Sequence, residues 1–237
     1  FFYMNDLQHI LDKYYTKIKL FFTKRYDFKE YLLQICLSLL VGIVAGLGSM
    51  VFHTLIEWMR IAFNPSHFLM NIKIVSLFMA IVPVIGALLI IGITRLFPHQ
   101  AKERGVKSII KSILLQKIPI PLVTTVFHLV ASAITLGTGA PLGPEGPSAK
   151  IGAGLGSFIS SMFKLNIRKI KTYTVAGAGA AIAAIFNAPV TGVFFGIEVI
   201  LLNDLKNESL SALVIASVSA DMVSRSYLGN VSLLQIP

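Results

Sequence analysis

The residue in this chain whose type and setting could do chemistry is a glutamate. Glu145 lies in "GTGAPLGPEGPSAKIGAGLGS", residues 137–157, the longest glycine- and proline-rich run of a very apolar sequence. An ionisable residue inside an apolar span costs about 2.5–3.5 kcal/mol on insertion scales, so such residues are usually functional. Gly139, Gly143 and Gly146 let backbone amides approach a ligand without interference from a Cβ. Pro147 suits the first turn of a helix, where its missing N–H costs nothing. The free amides and the positive dipole end of a helix beginning near Pro147 favour an anion. A carboxylate at that helix start competes for the same place: Glu145 occupies it when ionised and leaves it when protonated or displaced. The combination is an anion site with a gate that responds to pH. The alternative is that Glu145 only caps a helix at a polar surface loop.

Helix-breaking residues around such a site need elements that carry them into a bilayer. The chain has 237 residues, 55% hydrophobic and only 14% charged, with a mean hydropathy of +0.76. A water-soluble domain of this size needs more charge to cover its surface. The long apolar runs also lack the period-two alternation of barrel strands, so the reading is an all-α integral membrane protein. Residues 31–59 carry one charge, Glu57, near their end. At 1.5 Å per residue such a helix reaches about 43 Å against a hydrocarbon core of about 30 Å, so it is expected to tilt. Gly42, Gly46 and Gly48 give it a small-residue face for close helix packing. Residues 74–97 are a second span, with a kink expected at Pro83 and Gly86. Residues 118–136 are a third, opened by Pro119 and Pro121, and 147–163 continue the glycine-rich run as an apolar segment. Residues 172–197 hold no charge, but Asn187-Ala188-Pro189 cuts them, which predicts two shorter helices meeting at the break. Residues 209–224 are a further apolar segment.

Lysine and arginine exceed the acids by ten. In a soluble protein that excess suggests nucleic acid; here no aromatic–basic interleaving or recognition motif supports such a partner. The basic residues sit mainly between apolar segments, which points to topology and anionic headgroups. Residues 5–30, with Lys13, Lys17, Lys19, Lys24, Arg25 and Lys29, read as a cytoplasmic amphipathic helix on the membrane surface. This divides the chain into that helix, 1–30, and a transmembrane permeation domain, 31–237. Residues 98–117 and 164–171 read as basic loops, whereas 60–73 carries only Arg60 and Lys73. The positive-inside rule puts the amino terminus and both later loops in the cytoplasm of a multi-pass protein, in the cell membrane if the source is prokaryotic. Two loops on one side demand an even number of crossings between them, which 118–136 going out and 147–163 coming back supply. The bend at 137–146 then lies at or inside the membrane. Irregular backbone persists there only where it is buried in protein or lines a wet cavity, and interrupted helices of this kind carry the ion sites of transporters.

Other polar residues read more plainly. His53 and His128 are each single on apolar faces and read as packed neutral histidines. No His, Cys or carboxylate cluster has metal-ligand spacing, and no nucleophile–base pair can be drawn, so neither a cofactor nor an enzyme is expected. One cysteine, Cys36, excludes an internal disulfide.

"LGPEGPSAKIGAGLG" resembles the gating-glutamate motif of the CLC family of chloride channels and proton-coupled chloride antiporters. In that family an arginine often stands where Pro144 stands, although a proline also occurs. "AGAGAAIAAIFNAPVTGVFFGIEV", residues 176–199, resembles the family's next segment, in which two helices meet at an Asn-Ala-Pro break. The two motifs keep the family's order and rough spacing and, with the helix pattern, cover about residues 30–237. The resemblance implies tilted and broken transmembrane helices, a homodimer with one anion pathway per subunit, and two inverted halves whose helix ends converge on the anion. It implies the gate at Glu145. It also places the backbone of Gly143, Pro144, Gly146, Pro147 and Ser148 where the amino end of a helix faces the anion.

The sequence departs from that family in three ways. The Gly-Ser-Gly-Ile-Pro loop should fall near "KERGVKS", where Arg104 stands in place of the anion-coordinating serine and Lys107 in place of the proline. Two readings of Arg104 stand: an anion ligand, or a member of a basic cytoplasmic loop. Proton-coupled members usually carry an internal glutamate at the position that Val199 fills, as channels do not, while Glu198 matches the preceding acid and is a substitute proton carrier or a plain salt-bridge residue. The 237 residues match the family's first half and a little more, which is read as a fragment of a longer protein or as one of two chains completing a pore. The expected function is gated conduction of chloride or a similar small anion. The alternatives are a proton-coupled antiporter of chloride or fluoride, and a membrane scaffold that transports nothing.

Overall fold

The computed structural model describes residues 2–63, 72–102, 105–201 and 207–229, with side chains within 28–63, 81–102, 105–201 and 209–227. The chain falls into two compact units, 1–37 and 38–237. The first is the opening part of α1 (Phe2–Ala62). It is helical and continues without a break into the rest of α1, and apart from Lys29 the basic side chains of residues 5–30 lie outside the described ones. Arg104 also lies outside the described residues.

The second unit holds the rest of α1, then α2 (Ile72–Leu96), α3 (Pro98–Ala101), α4 (Gly105–Leu114), α5 (Leu122–Gly137) and α6 (Glu145–Met162). α7 (Ile167–Phe186), α8 (Pro189–Phe194), a π-helical turn at Phe195–Ile200 and α9 (Asn207–Leu228) follow. The described residues contain no strand.

α7 is the centre of this unit, and its composition is the reason. Its stretch of alanines and glycines from Ala176 to Ala184 is buried along its whole length. Gly177 and Gly152 of α6 face each other so closely that a Cβ on either would collide with the other's carbonyl oxygen. Gly179 and Gly192 repeat the arrangement between α7 and α8. Between helices in lipid, van der Waals contact of this kind replaces the hydrophobic drive available in water. Asn166 starts α7 by accepting a hydrogen bond from the Lys169 amide at 2.9 Å. Asn187 ends it in the left-handed conformation, φ 54°, which asparagine tolerates better than most residues. Pro189 then opens α8, so the Asn-Ala-Pro motif is a helix break of the expected kind.

The glycine face of α1 also packs as expected. A side chain at Gly42 would strike Ser219 and Ala216 of α9, one at Gly46 would press on Ala220, and Gly48 faces Leu155 of α6. Below it Phe52 and Ile56 join Ala133, Ile151 and Ile185 in a buried core. α2 runs through Pro83, and Gly86 admits the side chain of Thr138 against the helix.

Among the described residues, 28–62 is the one helical segment long and apolar enough to cross a membrane alone. α5, with 16 residues, reaches only about 24 Å, short of a hydrocarbon core of about 30 Å. Leu88, Val126 and Met222 are exposed, so the outer surface is itself apolar.

The basic stretch 98–117 differs from its expectation as a loop. It folds into α3 and α4, and α4 buries Ser108, Ile109, Ser112 and Ile113 while Lys107 and Lys111 face outward. These positions recur with the helical period, a pattern that the basic composition of the stretch hides.

Candidate functional site

α5 stops at Gly137, where the Thr138 hydroxyl donates to the Ile134 carbonyl at 2.8 Å and Gly139, at φ +83°, turns the chain. The chain re-enters helix at Glu145, two residues before the expected start. Proline at the third helical position is tolerated because an amide there has no intrahelical acceptor. The two prolines of the motif therefore occupy the helix-cap and third positions, where an N–H would be left over. The unbonded donors of the first turn reduce to the amides of Glu145 and Gly146.

Glu145 is exposed, and its carboxylate folds back over Gly143 so tightly that a Cβ there would collide with Oε2. Ser148 is fully buried and turned into the helix: its amide donates to the Pro144 carbonyl at 3.0 Å, and its hydroxyl lies 2.7 Å from the same oxygen. Of the residues assigned to the anion, Gly143, Pro144, Gly146 and Pro147 thus form the outer edge of the helix start, and Ser148 its inner closure.

A second helix start meets this one. α4 begins at Gly105, and a Cβ built on Gly146 would lie 3.8 Å from the Gly105 Cα. A cavity of about 610 Å³ opens beside the pair. Its wall includes Gly105, Gly143, Pro147, His128 of α5, Ile91 of α2 and Lys150 of α6. Glu145 is not on that wall, although Gly143 and Pro147, two positions to either side of it, are. His128 is buried, with its ring edge-on to Phe127 at 5.4 Å.

The electrostatics of this wall are positive. Each helix start carries about half an elementary charge from its unpaired amides, and Lys150 lines the same wall. Lys150 is 2% exposed, and its ammonium donates to the Ser108 hydroxyl at 2.6 Å. The sequence reading passed over Lys150. Its signal was available: it is the one charge in residues 147–163. Glu198 lies apart from the cavity wall, exposed on the π-helical turn beside Val199. The arrangement can hold an anion against two helix starts and a cation.

The voltage gated chloride channel family model matches residues 85–237, more than half of the chain. Chloride channel protein CLC-e of Arabidopsis thaliana is 29% identical over 228 residues, which cover 86% of this chain and 30% of that protein. A slow cyanobacterial chloride/proton antiporter superposes with a TM-score of 0.69 at 23% identity, over 81% of this chain and 46% of the other. A CLC-type fluoride/proton antiporter superposes with a TM-score of 0.70 at 23% identity, over 88% of this chain and 50% of the other. The chain thus spans half or less of the length of each of these proteins, and its all-helical fold is theirs over that length. A glutamate at a broken-helix start, an Asn-Ala-Pro break and this family match agree: the chain belongs to the voltage gated chloride channel family.

Proposed function

We propose that this chain forms part of a membrane pathway for chloride or a similar small inorganic anion, with Glu145 as its gate. The observation that carries the reading is the meeting of two helix starts, at Gly105 and Glu145, beside one cavity, with a carboxylate folded at the mouth of the second. Backbone amides at a helix start attract any anion. An ionised Glu145 therefore competes with the permeating ion, and a protonated one does not. The basic charge pattern supports a cytoplasmic amino terminus, and the family supports a homodimer with one pathway per subunit.

A proton-coupled antiporter is the second reading, favoured by the two structural neighbours, both of which are named as proton antiporters. Against it, Val199 offers no proton relay at the position where such members carry an acid, and Glu198 lies away from the cavity wall.

The test is anion efflux from liposomes containing the full-length protein, comparing wild type with Glu145→Gln and Glu145→Ala, with and without a proton ionophore. Wild-type flux is expected to rise as pH falls, since protonation removes the competitor. The variants are expected to lose this dependence and to exceed wild type at alkaline pH. An ionophore that leaves flux unchanged marks a channel, and one that accelerates it marks coupling. Identical flux in wild type and both variants would reduce Glu145 to a helix cap.

A further inference from the structure

We propose that Lys150 is the fixed cation of the anion pathway and determines which anions it takes, favouring small, strongly hydrated ones such as chloride over large, weakly hydrated ones such as thiocyanate. This rests on the reading of the cavity as the anion pathway, and names the residue that gives the cavity its selectivity.

The geometry is specific. Lys150 is on α6, the helix that Glu145 opens, and is 2% exposed. A lysine near a helix end normally snorkels, stretching its stem so that the ammonium reaches water. Here the ammonium points across to α4 and donates to Ser108 Oγ at 2.6 Å, while the Ser108 hydroxyl donates its own proton to the Gly105 carbonyl at 2.8 Å. That directional chain uses the one proton of the hydroxyl and leaves a lone pair aimed at the ammonium. It holds the ammonium against the first turn of α4, and Lys150 itself is one of the residues that line the cavity with Gly105, Gly143 and Pro147.

A charge buried in an apolar protein is costly, and inside a membrane span it marks an ion pathway by default. What this cation adds to the two helix starts is field strength. Backbone amides are partial charges, and a site made of them alone draws anions that dehydrate easily. An ammonium is a compact point charge. Beside it, an anion with concentrated charge gains more than it loses in hydration, and the selectivity order moves toward chloride by the field-strength logic that applies to ion filters in general.

The experiment uses the full-length protein in liposomes, with efflux of chloride, nitrate and thiocyanate and with chloride affinity from calorimetry in detergent. Wild type is compared with Lys150→Met, Lys150→Arg and Ser108→Ala. Lys150→Met is expected to weaken chloride binding about tenfold, equivalent to about 1.4 kcal/mol, and to move the preference toward thiocyanate. Lys150→Arg, with its charge spread over a plane, should keep chloride binding and narrow the gap between the anions. Ser108→Ala should lower the melting temperature and, by loosening the ammonium, narrow the preference for chloride without reversing it. A folded Lys150→Met protein with unchanged chloride affinity and the same anion order overturns the proposal. So does equal loss of flux for every anion together with a lowered melting temperature, which would make Lys150 a strut between α4 and α6. If Lys150→Met does not fold, an anion order in Lys150→Arg identical to wild type overturns it instead. The pathway reading fails separately, and this inference with it, if wild type moves no anion. A normal Glu145→Gln response beside an unaltered Lys150→Met sinks this inference alone.

Discussion

At the scale of single residues, Glu145 depends on its neighbour. The carboxylate rests where a side chain at Gly143 would have to be. Gly143 does not have a positive φ, so the position demands glycine for space and not for backbone conformation. Gly143→Ala should therefore fold, since its surroundings are exposed, while driving the carboxylate from its resting place. If the displacement amounts to about 1.4 kcal/mol, the unblocked fraction rises about tenfold. Anion flux at neutral pH should rise accordingly and lose most of its pH dependence; flux equal to wild type would show that the carboxylate does not block. The glutamate and glycines of this site were legible because an acid among helix breakers in an apolar chain has few ordinary explanations. Lys150 was not. Its partner Ser108 is 42 positions away on a stretch whose lysines suggested a loop, and a long-range side-chain contact leaves no local pattern. The place of Glu198 on a π-helical turn was equally illegible, because no residue type marks such a turn.

At the scale of elements, glycine spacing settles which helices touch. Gly152 and Gly177 cross with no room for a methyl group on either, because each would meet the other's backbone carbonyl, which cannot swing aside as a flexible side chain can. Gly177→Val should thus lose about 1–3 kcal/mol, in the range of overpacked cores. Gly92 of α2 is the control: a Cβ there meets nothing within 4 Å, so Gly92→Ala should be neutral or stabilising by up to about 1 kcal/mol from helix propensity. Melting temperatures of the two variants in detergent should move in opposite directions or differ sharply. The reverse ranking would place the helix crossing elsewhere. The small-residue face of α1 and the Asn-Ala-Pro break were readable because both depend on local sequence alone. α4 was misread because the net charge of 98–117 outweighed a short apolar period of Ile109 and Ile113, and ten-residue helices give little pattern to detect.

At the scale of the whole molecule, charge distribution orients what packing alone leaves symmetrical. A helical hairpin such as α5–α6 packs equally well with its bend on either side of a bilayer. The lysines and arginines break that symmetry. Lys117 precedes α5, and Lys164, Arg168 and Lys169 follow α6, whereas the bend 138–144 between them has no charge. The positive-inside rule counts such residues near span ends in short loops, so both ends of the hairpin are expected in the cytoplasm and the bend on the far side. Cys36 is the single cysteine of these 237 residues, so replacing it, together with any cysteine in the rest of the full-length protein, by serine gives a background in which one introduced thiol reports its own side. Lys117→Cys and Lys164→Cys are expected to react with a membrane-impermeant maleimide in inside-out vesicles and not in intact cells. Leu142→Cys, at an exposed position of the bend, should show the opposite preference. Labelling of all three from one side would require α5 and α6 to enter and leave by the same face without crossing. The cavity at Gly143 would then open to a single compartment and could not serve as a pathway. Labelling of Leu142→Cys from the far side alone leaves the gate where an anion must pass it.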